Sequence, residues 1–256
     1  MTAVDSSLIW VADQGYGEVV ETGVRDKSPG RFFSNREGRL PSIASICSMG
    51  NDTILFTDSS IGCIYLKVKS SAYSELNDKL ALNRPTGIAV SPVTGEIVVT
   101  ETGSHRIVFL DRNGNLIRTI GNRGTSPGEF NYPTHIWIDE EGKIYIVDAL
   151  NFRVQVFDYS GNFLMAFGEQ GDATGYFARP KGIATDSRGN IYIADALFHT
   201  IQVFDNQGRF LHYFGEQGNS DEKFWMPSGI SIDKNDFLYI ADSYNSRLKV
   251  YKIVHR

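Results

Sequence analysis

The sequence predicts an all-β protein in which six four-stranded antiparallel sheets stand in a closed ring, the last sheet lacking its outer strand. Two observations carry that expectation. One pattern is written twice and nearly unchanged, over residues 133–171 and again over 180–218. Each copy holds four short apolar or alternating runs separated by Gly, Asp and Asn, as strands joined by tight turns do. An acid also closes the second run of every copy: Asp13, Asp58, Glu101, Asp148, Asp195 and Asp242. Their spacings are 45, 43, 47, 47 and 47 residues, so six copies fill the 256-residue chain. One such meander cannot bury both of its faces and must stack on copies of itself. Radial stacking of four-stranded sheets gives a β-propeller, which leaves only short protected edges. Neither end of the chain reads as the polar cap that an open solenoid needs.

Taken in order, the blades of this single domain are expected at about 1–40, 41–84, 85–132, 133–179, 180–226 and 227–256. Met1 falls just inside the first strand, and residues 2–5 align with 183–186 once a one-residue gap precedes Leu8. Lys27, Ser28, Pro29 and Gly30 supply a turn before a fourth strand near residues 31–35, and the polar stretch 35–39 crosses to copy two. Pro41, Pro85, Pro133, Pro180 and Pro227 mark the starts of copies two to six, and copy two has a weak fourth strand around residues 72–76. The links 121–132, 168–179 and 215–226 each place an aromatic three residues before the proline: Phe130, Phe177 and Phe224, with Leu82 in that place before Pro85. An apolar plug at a fixed distance from the blade start should wedge between neighbouring sheets. The Gly-x-x-Gly pieces opening these links resemble phosphate cradles, but no helix follows and no Lys-Ser/Thr completes a phosphate loop. Copy six stops after its third run, residues 247–254, leaving an edge with Leu248, Val250 and Ile253. Folds usually cover such an edge. A strand preceding Met1 in the natural chain, or edge pairing with a neighbouring chain, is therefore expected there.

These motifs carry a family resemblance. P-x-G-I-A, then Y-I-A-D, then the D-x-x-N-x-R turn of Asp148, Asn151 and Arg153 and of Asp242, Asn245 and Arg247, closely resembles the NHL repeat. The resemblance is strong over residues 85–254 and degraded in copies one and two, where Tyr16-Gly17-Glu18 and Ile61-Gly62-Cys63 replace the N-x-R element. It implies a six-bladed scaffold for protein or RNA binding, with lyases and lactonases among relatives of the fold. Fold alone therefore does not fix function.

Composition narrows the choices. Hydrophobic residues make up 41% and aromatics 12%, enough for a packed β core. A net charge of −5, from 25 basic and 30 acidic residues, provides no global attraction to nucleic acid or an anionic membrane. No apolar run reaches the ~18 residues of a membrane span. No signal peptide precedes the first strand, although a trimmed upstream segment would favour a location outside the cytoplasm. Cys47 and Cys63 flank the second strand of copy two. They are thus about two ~4.8 Å strand spacings apart and are expected to be free thiols.

Candidate chemistry falls into three groups. The six acids could line the channel as a cation site, but each is expected to accept hydrogen bonds from its own turn and its Arg. His105, His135 and His199 come from consecutive blades and face one rim, and three His with an open position form a catalytic zinc set. This is similar in outline to the peptide-amidating lyases, yet His105 and His199 sit in turns and no tight His spacing supports them. No G-x-S-x-G elbow marks a nucleophile. What remains is the rim, where Tyr132, Phe152, Arg179, Phe198, Trp225 and Tyr244 are the residue types that anchor interfaces, some of them serving inter-blade packing instead. Basic residues interleaved with these aromatics would suit RNA. Arg84, Arg123, Arg179 and Lys181 are too sparse for that, so nucleic acid is disfavoured. The reading is a non-catalytic scaffold, without a cofactor, that holds a protein or peptide on its aromatic rim. The alternative is a zinc- or calcium-dependent lyase or hydrolase acting on a small molecule or peptide end at the channel mouth.

Overall fold

The computed structural model describes residues 2–5, 8–15, 17–23, 32–33, 42–50, 52–68 and 73–255. Blade one comprises Thr2–Asp5, Leu8–Asp13, Glu18–Gly23 and Phe32–Phe33. Blade two comprises Ile43–Gly50, Thr53–Asp58, Cys63–Val68 and Ser74–Glu75. Blades three, four and five repeat the pattern from Pro85–Val90, Pro133–Ile138 and Pro180–Thr185 to the outer strands Leu116–Ile120, Phe163–Phe167 and Phe210–Phe214. Blade six has three described strands, Pro227–Ile232, Phe237–Asp242 and Arg247–Lys252. Within every blade the strands pair antiparallel with their chain neighbours. First strands of successive blades pack side by side, and Thr2–Asp5 packs beside Pro227–Ile232, which closes the ring. Among the described residues no helix is long and apolar enough to cross a membrane.

Strand register gives a finer ruler than the prolines. Pro85, Pro133, Pro180 and Pro227 stand opposite Glu101, Asp148, Asp195 and Asp242. In blade two the residue opposite Asp58 is Ile43, so this strand's matching position falls two residues after Pro41, which lies outside the described residues. Blade one pairs Thr2 with Val11 as blade five pairs Ile183 with Ile193. The turn expected at 27–30 and the crossing at 35–39 lie outside the described residues.

Alternation along the strands buries both faces because each blade is covered by the next. Val98 and Ile107 of blade three share a core with Ile136, Ile144 and Ile146 of blade four. Val147 and Val154 of blade four do the same with Ile183, Ile191 and Ile193 of blade five. Phe130, Phe177 and Phe224 are fully buried in these seams. Each ring lies against the glycine that opens its link. A Cβ on Gly121, Gly168 or Gly215 would come within 2.4, 2.2 or 2.3 Å of the respective ring, and all three have φ of 86–90°. No side chain could be placed there without displacing the plug.

Candidate partner-binding rim

The face that carries the rim is built by the acids. Asp148 is fully buried, and its Oδ1 accepts the backbone N–H of Asn131 at 2.6 Å. Its Oδ2 accepts from Arg153 Nε (2.9 Å), Asn151 Nδ2 (2.8 Å) and Gln155 Nε2 (3.2 Å). Asp242 repeats the set with Trp225 N (2.7 Å), Arg247 Nε (2.7 Å) and Asn245 Nδ2 (2.8 Å). Glu101 bonds Asn83 N (2.7 Å) and pairs with Arg106. Asp58 takes the N–H and hydroxyl of Ser60. A buried carboxylate is tolerable because both of its oxygens accept hydrogen bonds, and at Glu101, Asp148 and Asp242 an arginine stands beside it as well. Asp195 differs. It accepts Ala178 N, Arg179 N, Leu197 N and Phe198 N at 2.8–3.3 Å, but Thr200 stands where its neighbours have Arg. Burial, only partly offset by these four N–H groups, pushes its carboxyl above the usual carboxylate value.

These bonds tie each link to the following turn. Leu150 N donates to Asn131 O, Ala196 N to Arg179 O and Tyr244 N to Trp225 O, all at 3.0–3.1 Å. Trp225 is thereby held where it stacks on Tyr244, with centroids 5.9 Å apart and planes 29° apart. The two stay 44% and 66% exposed despite that contact. Arg179 is exposed as well. Tyr132, Phe152 and Phe198 are half-buried. Tyr132 meets His105 edge-on at 4.4 Å, and Phe152 packs against the seam between blades four and five. Two residues absent from the sequence reading join the exposed set, Leu150 (52%) and Leu197 (51%). They occupy the same turn position as Tyr244, the second residue after the acid, and that shared position was the available signal.

The three histidines do not converge. His105 Nδ1 accepts from Tyr132 N at 3.1 Å, and His199 Nδ1 accepts from Met226 N at 3.0 Å. Each is thus a bracket between one blade and the start of the next. His135 lies instead on the ring axis, lining a cavity of about 330 Å³ walled by the first strands of blades two to six. Burial, and then nearby Lys181, hold its imidazole well below its ordinary pKa, and Nδ1 meets Thr134 Oγ1 at 3.1 Å. It replaces a glycine that the neighbouring blades need. At Gly182 a Cβ would lie 2.5 Å from Ser228 O in the next blade. Among the described residues no group of three His, Cys, Asp or Glu side chains is placed to hold a metal.

A serine–histidine–acid group does occur, on the opposite face. Ser187 Oγ lies 3.3 Å from His255 Nε2, but it donates to Asp236 Oδ2 at 2.6 Å, and His255 Nε2 contacts the same oxygen at 2.9 Å. With one carboxylate holding both partners, this group fastens the hairpins of blades five and six to residue 255. Both cysteines are free and half-buried.

The six-bladed β-propeller family matches residues 42–164, and NHL repeats match 177–204 and 224–251. Human E3 ubiquitin-protein ligase NHLRC1 is 32% identical over 60 residues, which are 23% of this chain and 15% of that protein. The match thus spans a small part of that relative's length. Among solved structures, virginiamycin B lyase from Staphylococcus aureus superposes with a TM-score of 0.66 at 18% identity, covering 100% of this chain and 84% of that one. An auxiliary nutrient binding protein from Bacteroides thetaiotaomicron gives 0.75 at 17%, covering 96% and 66%. At such identities the likeness is one of ring architecture alone. The closed ring of six blades, the repeated acid-and-arginine turns and both family matches agree: the chain belongs to the NHL-repeat six-bladed β-propellers.

Proposed function

We propose that this chain is a non-catalytic binding module, working without a cofactor, that holds a protein or peptide partner on the rim of blades four to six. The observation that carries this reading is the Trp225–Tyr244 stack, left exposed on a backbone whose polar groups are already paired. Leu150 and Leu197 extend it into an apolar arc across three consecutive turns. Rigid aromatic anchors on a pre-organised frame lose little entropy on binding, and large aromatics dominate interface energetics. One structural neighbour is named for nutrient binding and another for lyase activity. A metal-dependent lyase or hydrolase at the channel mouth is the lesser reading, because the three histidines it would use are spread over two turns and the axis.

The test is selection of a displayed peptide library on the purified protein, followed by calorimetry of the enriched sequences. Trp225→Ala and Tyr244→Ala should each weaken them about 30-fold, the ~2 kcal/mol of a hot spot, with melting temperature unchanged. Enriched peptides that bind both variants as tightly as the parent overturn the rim.

A further inference from the structure

In blades four and six one arginine fastens the incoming link to its blade. Arg153 donates to the carbonyls of Thr125 (2.7 Å), Ser126 (3.0 Å) and Glu129 (2.9 Å) while pairing with Asp148. Arg247 donates likewise to Asn219, Ser220 and Lys223 while pairing with Asp242. Blade five keeps the setting and lacks the arginine. Gln202 Nε2 still bonds the carbonyl of Tyr176 at 2.8 Å, as Gln155 bonds that of Glu129 at 2.7 Å. Gly175 N still donates to Gln202 at 2.9 Å, as Gly128 N does to Gln155. The residue paired opposite Asp195 is Thr200, where Arg153 stands opposite Asp148.

In place of the guanidinium there is a cavity of about 280 Å³, lined by Asp172, Thr174, Phe198, Thr200, Gln202 and Tyr213 among others. That is far more than the roughly 10–15 Å³ of such space that one water needs, so the space suits a side chain. Residues 172 and 173 follow 125 and 126 by the 47-residue repeat, and those two supply carbonyls to Arg153. We infer that this vacancy accepts an arginine side chain brought by the protein or peptide partner, which completes in trans the fastening that blades four and six make for themselves.

The chemistry around the vacancy suits a planar cation. Phe198 and Tyr213 line it, and aromatic rings attract a guanidinium. Asp172 and Glu216 are the acidic residues of its lining, Glu216 pairing with half-buried Lys223 at 2.8 Å. A guanidinium presents its donors in a fork that carbonyls and carboxylates can meet at several points, which an ammonium cannot. The net charge of −5 favours a cationic partner. Phe198 adjoins Leu197, so the pocket opens beside the apolar arc. This inference rests on the rim reading and names one residue that the partner carries.

The probes are N-acetyl-arginine amide and its neutral isostere N-acetyl-citrulline amide, titrated by calorimetry or NMR. The arginine probe should bind with one-to-one stoichiometry and the citrulline probe at least ten-fold more weakly. Thr200→Arg should fill the pocket, abolish arginine binding and raise the melting temperature, and Thr200→Leu should weaken binding at least ten-fold. Equal affinity for the two probes, or unchanged arginine binding in either variant, overturns the inference. Trp225→Ala separates the two readings, because it should leave the arginine probe untouched while weakening the selected peptides. If selected peptides ignore Trp225 while the arginine probe binds as described, the rim reading alone fails.

Discussion

Replacing Asp148 by Asn tests whether the acids are structural. The carboxylate accepts four hydrogen bonds, one on Oδ1 and three on Oδ2. An amide has one acceptor oxygen, and its NH2 group must face a donor. With the oxygen kept towards Arg153, the NH2 confronts Asn131 N–H, and that buried donor is orphaned at about 1–3 kcal/mol. Arg153 also loses its counter-charge while its Nη groups stay fixed on three carbonyls. Breaking a buried pair from one side costs about 3–5 kcal/mol, so the total should fall near that range. With a urea dependence of roughly 3 kcal/mol per molar, the unfolding midpoint should drop by about 1–1.7 M. Asp195→Asn should cost less, about 1–3 kcal/mol, because no arginine is left behind and the charge it removes was already held at a desolvation cost. Urea titrations of the two variants beside the parent, at neutral pH, read the difference. A midpoint for Asp148→Asn within 0.2 M of the parent's, or a larger drop for Asp195→Asn, refutes this account of the acids.

Asp195 should also leave a mark on pH dependence. Its folded pKa is raised, so its contribution to stability is full below the unfolded value and is lost as pH rises through the folded one. The cost of Asp195→Asn should therefore be larger near pH 3 than at pH 7 in paired thermal scans, and the reverse order contradicts the raised value. Phe177→Ala empties a fully buried seam and should cost about 3–5 kcal/mol, measurable as a lowered urea midpoint; a change under 1 kcal/mol would mean the plug is dispensable. Burial pushes both thiols up to about 12, Glu75 adding to the effect at Cys63, so iodoacetamide should label native protein slowly at pH 8 and quickly in urea. Among the described residues Arg247–Lys252 pairs only with Phe237–Asp242, so half of its amides should exchange faster than those of Thr200–Phe204. Equal protection in a strict monomer would mean the edge is covered.

The ring was legible because its causes are local. Alternating runs, turn glycines and a 47-residue period each act within one blade, and the plugs Phe130, Phe177 and Phe224 stood out by position. The signal faded where a position is fixed by pairing and not by residue type. Ile43 does in blade two what a proline does elsewhere, and only register reveals it. At the rim, attention to aromatic and Arg side chains passed over Leu150 and Leu197, whose exposure depends on how the turn is aimed. His105 and His199 matched each other in sequence, yet their ring nitrogens serve the backbone of the next blade. The vacancy at Thr200 is written in the alignment as one short residue between Arg153 and Arg247 of the flanking blades, but its volume is a property of the packed link above it.

The arginine fastening also changes where the chain divides. Arg153 grips carbonyls at 125, 126 and 129, and Arg247 those at 219, 220 and 223, so each of these links travels with the blade it precedes. The mechanical joints thus fall just past the outer strands, near residues 121 and 215, about a dozen positions ahead of the prolines that announce each repeat. A chain reopened at such a joint keeps every clasp on one side of the cut, whereas one reopened at a proline severs the clasp from the segment it holds. For splitting this ring into complementing halves, or for moving its ends around the circle, the outer perimeter is the natural parting line.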